Sequence, residues 1–173
     1  MASNRHFARI ILMQSLYEFL QRGGDLPTIV KRNIVNHDFD ENNTKFILKI
    51  AEGAQAHLTE IDQIITISAP EWPIPQIGQV DLSILRLAIF ELLFDDEVPP
   101  KAVINEAVEL GKAFGGENTS KFVNGVLGTV YRNSEKYVDE PPKSATPPAS
   151  SPPTETPANN ELKPIPPSDM PTQ

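Results

Sequence analysis

Arg5, His6 and Arg9 are the first residues in the chain whose types and spacing could do chemistry. At about 100° per residue, Arg5 and Arg9 fall on one helix face a turn apart, with His6 beside them. Two guanidiniums so placed can bridge successive phosphates of a nucleic acid. An ordinary solvated face of a terminal helix would carry the same residues. The second arrangement is Gly115-Gly116-Glu117-Asn118-Thr119-Ser120-Lys121. Here a glycine turn runs into a helix start, where free N–H groups and the positive end of the dipole suit a phosphate. Lys121 adds a cation. The alternative is that Asn118 or Thr119 only caps the helix, the glycines ending the one before. The full G-x-x-x-x-G-K-[ST] spacing is absent, so this is not a nucleotide-binding P-loop.

The third arrangement is acidic: Asp81, Glu91, Asp95, Asp96, Glu97, Glu106 and Glu109. Paired carboxylates can transfer protons or hold divalent metals. No His lies near them in sequence, and neither E-x-x-H nor H-E-x-x-H occurs. Helix capping and solvated charge account for them, and an acidic face also suits a basic protein partner. His6, His37 and His57 share no ligand spacing, and no nucleophile elbow is present. With no cysteine in the chain, thiolate metal sites, disulfides and cysteine catalysis are excluded. These residues give no case for an enzyme, a metal or a cofactor.

The elements that must hold these residues are helical. Among the 173 residues, eleven of the 17 prolines stand at or after Pro141. Residues 139–173 therefore read as a disordered Pro/Ser/Thr-rich tail with polyproline II character. The remaining 138 residues are enough to bury a core. Net charge is −8 and the sequence pI about 4.9, so any nucleic-acid role rests on a local basic patch or on a partner. No signal peptide or membrane-spanning run is evident, and a cytoplasmic setting is expected.

Apolar residues recur at helical spacing. A first helix over 4–22 presents Ala8, Leu12, Leu16 and Leu20, and Gly23-Gly24 ends it. Asp25 caps a second through residue 35, with Pro27 in its first turn. A third, long helix covers 41–68. Pro70, Pro73 and Pro75 forbid its continuation, and Trp72 is expected to plug the junction between two helical halves. A fourth, over 79–94, is apolar nearly all round and belongs at the centre. A fifth covers 101–114 and a sixth about 119–137. The expected fold is all-α, a bundle of six or seven helices.

The segments ILRLAIFEL, VPPKAVINEAVELGKAFG and KFVNGVL, all within residues 80–132, resemble the signature of the NusB family. The opening Arg5-His6-Phe7-Ala8-Arg9, with Gln14-Ser15-Leu16-Tyr17, resembles that family's first helix. The likeness covers residues 5–132 and leaves the tail without a counterpart. It implies two three-helix halves and a transcription antitermination factor without catalysis. Such factors pair with the ribosomal protein NusE, bind boxA-type RNA and act on the elongating RNA polymerase complex, chiefly in ribosomal RNA operons. By the same likeness, Arg5, His6, Arg9, Tyr17, Asn118, Lys121 and Phe122 are expected to face RNA. Asp81 and Glu91 are expected on the partner-facing surface, with Arg86 structural. Some family members also form homodimers that cover the RNA surface. A protein-interaction module without sequence-specific RNA binding is the alternative.

Three departures bear on this. The family's opening motif carries three or four arginines, whereas Phe7 and His6 stand at two such positions here. Fewer cations imply weaker, less salt-sensitive RNA binding, although Phe7 can stack on a base. Asn118 stands where members often have Asp, which removes a repulsion toward phosphate.

Overall fold

The computed structural model describes residues 2–138, with side chains from Asn4. The tail expected over 139–173 lies outside the described residues. Seven α-helices form the described chain: α1 (Ala2–Arg22), α2 (Leu26–Ile34), α3 (Glu41–Ala56), α4 (Leu58–Ser68), α5 (Gln79–Ile89), α6 (Pro100–Phe114) and α7 (Thr119–Arg132). No strand occurs among them.

Local signals set most boundaries. Gly23 and Gly24, at φ 67° and 104°, turn the chain out of α1 through a region that side chains disfavour. The Asp25 carboxylate then accepts from the Thr28 N–H at 3.0 Å, capping α2 with Pro27 in its first turn. Asp40 caps α3 the same way, accepting from the Asn43 N–H at 2.7 Å. Pro70, Pro73 and Pro75 hold the link after α4 to a short 3-10 turn, Ile74–Gln76.

The first half packs α1, α2 and α3 against one another, and the second packs α5, α6 and α7. α5 lies at the centre and touches α1 as well as α6 and α7. Every residue from Leu82 to Leu92 is buried, as the apolar run requires. Arg86 is nearly covered and donates twice to Asp62 of α4, each at 2.8 Å, so it is structural.

Two expected helices are interrupted. The helix expected over 41–68 bends at His57, which leaves helical geometry at φ −102°, ψ 13°. No proline or glycine stands there. Instead the His57 ring stacks on Phe94 at 4.3 Å, with Phe90 at 6.2 Å. α4 follows directly after this break and reaches α5 and α7. The helix expected over 79–94 widens at Phe90–Phe94 into a π-helical turn. The helix begun at Thr119 ends at Arg132 rather than near residue 137. Trp72 does not plug the junction: it is 51% exposed, lying edge-on against Phe122 at 6.0 Å between ring centroids.

Candidate nucleic-acid interface

The cations at the start of α1 all meet acids from the π turn, the loop after it and α6. Arg9 and Glu91 form a two-pronged pair, with Nη2 2.7 Å from Oε1 and Nε 2.9 Å from Oε2. They are 4% and 2% exposed. Burial works against the Arg9 charge, but its hydrogen bond and attraction to Glu91, with the fields of Glu106 and Glu97, outweigh it and raise the pKa. Burial likewise pushes the Glu91 carboxyl up, and Arg9 pulls it back. Arg9 therefore has no face to offer a phosphate, and Glu91 none to offer a partner protein. Both expectations are corrected on that ground: the two residues tie α1 to the end of α5.

Arg5 and His6 lie nearer the surface, also paired. Arg5 Nη2 sits 2.7 Å from Glu97 Oε1, and its guanidinium carbon lies 3.9 Å from the centroid of the Phe46 ring. Glu97 also accepts from Lys49 Nζ at 2.6 Å, and Lys49 reaches Asp95 at 3.0 Å. The Lys49 hydrogen bond, and then Arg5, hold the Glu97 carboxyl below the usual range against a smaller opposing effect of burial. His6 Nδ1 lies 2.8 Å from Glu106 Oε2. The acids that look like caps and solvated charge in the sequence largely neutralise this basic motif. Phe7 is partly exposed, stacked on Phe39 at 5.6 Å with His37 edge-on at 5.0 Å.

Tyr17 is exposed beside Glu18, Gln21, Arg22 and Arg32. It stands about 18 Å further along the helix axis than Arg5 and on a different face. The structure does not bring these two together.

At the start of α7, Asn118 occupies the capping position but makes no side-chain cap bond. Thr119 does the local work: its Oγ1 accepts from the Gly116 N–H at 2.9 Å and donates to Asp81 Oδ1 at 2.9 Å. Asp81 thereby pins the start of α5 to the start of α7, and only part of its surface is left for a partner. Gly115 is extended, at φ −91°, ψ −179°, and is needed for space. A Cβ there would fall 2.4 Å from Thr119 Cβ. Asn118 and Lys121 remain exposed. Among the described residues Lys121 makes no ion pair or hydrogen bond.

Two open clefts meet at this place. One, of about 560 Å³, is lined by Trp72, Gln76, Asp81, Asn118, Thr119 and Phe122 among others. The other, of about 400 Å³, is lined by Trp72, Lys121 and Phe122 with Glu71 and Gly125. Trp72 is the residue that the sequence left unassigned to function. Its signal was an aromatic side chain set among prolines, where no core stripe requires one. Among the described residues no group of His, Asp or Glu is placed to hold a metal ion, and no helix is long and apolar enough to cross a membrane.

Comparison with known proteins gives consistent matches. The NusB family profile matches residues 6–132. The chain is 44% identical to the transcription antitermination protein NusB of Herpetosiphon aurantiacus over 136 residues, covering 77% of this chain and 93% of that one. Among solved structures, T. maritima NusB aligns with TM-score 0.70 at 30% identity, covering 75% of this chain and 91% of that one. A crystal structure of antitermination factors NusB and NusE in complex with dsRNA contains a chain that aligns with TM-score 0.69 at 30% identity. That alignment covers 76% of this chain and 98% of the other.

Proposed function

The chain belongs to the NusB family, and from that premise we propose that it is a transcription antitermination factor binding boxA-type RNA jointly with the ribosomal protein NusE. The pair is delivered to the elongating RNA polymerase complex in the cytoplasm and favours transcription past terminators in ribosomal RNA operons. The observation that carries this reading is the start of α7, where exposed Asn118 and the exposed, unpaired Lys121 side chain stand beside half-buried Phe122 on a helix terminus fixed by Thr119. Helix N–H groups and one ammonium there suit a phosphate, and aromatic surface suits a base.

RNA contact is supplied by Asn118, Lys121 and Phe122. Arg5, His6 and Tyr17 contribute from α1, and Arg9 positions that helix from inside. The accessible part of Asp81 lies on the partner side. The protein works by binding rather than catalysis, with no cofactor. Because its motif cations are paired with acids, affinity for RNA depends on NusE to supply further positive charge. In a purified transcription reaction, the chain and NusE together raise readthrough of a terminator placed behind boxA. No gain over RNA polymerase alone would refute the proposal.

One observation favours a second reading, in which the domain binds NusE and has no RNA preference. Arg5, His6 and Arg9 each already have a carboxylate within 2.8 Å. A homodimer covering the α7 surface is a further state that a sizing experiment would detect.

A further inference from the structure

Trp72 is the chain's single tryptophan, and more than half of its surface is exposed. Large aromatic side chains are mostly buried or placed where one face serves a contact. Here the backbone beneath the ring is fixed. Pro70 and Pro73 flank it, and its N–H donates to the carbonyl of buried Ala69 at 3.0 Å. The indole meets Phe122 nearly at right angles, with 71° between ring planes, so the contact does not cover the indole by stacking.

On this basis, and resting on the RNA-binding reading above, we infer that Trp72 is a stacking platform for an unpaired RNA base, extending the RNA path beyond Phe122. Trp72 and Phe122 border both clefts; Asn118 lines one and Lys121 the other. A strand running from Asn118 to Lys121 therefore passes the indole. Glu71 and Glu117 also border these clefts, and Asp81 is engaged by Thr119. A backbone phosphate thus has one favourable place, the free ammonium of Lys121, and the uncharged base takes the ring face. Stacking on an aromatic ring accepts any base, so Trp72 adds affinity rather than sequence choice.

The single tryptophan supplies the readout. Its emission is followed in the full chain as boxA-type RNA or NusE is added. Labelled RNA is titrated in parallel against wild type, Trp72→Ala and Trp72→Phe. RNA is expected to quench the emission. Trp72→Ala weakens RNA binding roughly tenfold, while Trp72→Phe keeps most of it and NusE affinity stays unchanged. Unaltered RNA binding by Trp72→Ala, with no quenching in wild type, would overturn the inference and leave the RNA-binding reading standing. Quenching by NusE alone, with NusE affinity lost in Trp72→Ala, would assign the face to a protein instead. Failure of wild type to bind the RNA at all, with or without NusE, would remove both. If Trp72→Ala fails to fold, the wild-type quenching and the Trp72→Phe titration decide.

Discussion

Arg9 and Glu91, 82 residues apart in sequence, meet as a two-pronged ion pair with almost no solvent exposure. The pair turns a residue of the basic motif into an internal strut. Removing one partner strands the other charge in the core. Arg9→Ala is expected to cost about 3–5 kcal/mol, while the double change Arg9→Met/Glu91→Leu stays within a few kcal/mol of wild type in either direction. Urea denaturation measures both. The double variant should also keep its RNA affinity, since Arg9 does not reach the surface. A folded double variant that no longer binds RNA would show that Arg9 contacts RNA after all.

Glu97 masks Arg5 on one side and Lys49 on the other. Glu97→Gln is therefore expected to strengthen RNA binding several-fold. The slope of log affinity against log salt should steepen by up to about one, as a freed cation gains a phosphate. Affinity measured at a series of salt concentrations checks this. An unchanged slope would mean that Arg5 lies off the RNA path.

The same carboxylate sets an acid limit. Glu97 is held low by Lys49 and Arg5, and Glu18, Asp25 and Asp96 are held low by their own hydrogen-bond partners. A folded-state pKa below the unfolded one gives stability that is complete above the unfolded value. That stability is lost as pH falls through the folded value. Glu91, pushed up by burial, acts in the opposite sense. The part of the stability that Glu97 supplies is thus expected to drop as pH falls below the ordinary glutamate value of 4.5. Glu97→Gln should flatten that drop in denaturation curves taken across the acid range.

Gly115 and Gly116 look alike in the sequence but differ in space. A methyl at Gly115 would overlap Thr119 and break its bonds to Asp81 and Gly116, whereas the nearest atom to one at Gly116 is 4.0 Å away. Gly115→Ala is expected to cost about 1–3 kcal/mol and to weaken RNA binding by disturbing the start of α7. Gly116→Ala should leave both nearly unchanged. Thermal melts and RNA titration of the two variants make the comparison.

The sequence carried the helices well because their causes are local. Asp25, Asp40, the glycine pair and the prolines each act within a few residues of the boundary they set. The bend at His57 and the π turn at Phe90–Phe94 were not legible, because each answers to rings from another helix. Arg9 was misread for a related reason. A helical wheel shows which residues share a face, not what the face meets. A hint was present: Arg9 stands four residues before Met13 and seven before Leu16, both buried, at the edge of the core stripe. The start of α7 was legible as a phosphate-binding turn or a capped helix. In the structure no side chain caps α7: Thr119, its first residue, instead ties Gly116 to Asp81, and Asn118 and Lys121 stay exposed.

Joint recognition of boxA-type RNA with NusE is measured by fluorescence anisotropy. Labelled boxA-type RNA and a scrambled control are titrated with the chain at one fixed salt concentration, with and without NusE. Binding by the chain alone is expected to be weak, with a clear boxA preference that strengthens with NusE and falls in Lys121→Ala. Equal affinity for both RNAs in the presence of bound NusE would contradict it and leave a protein-binding module.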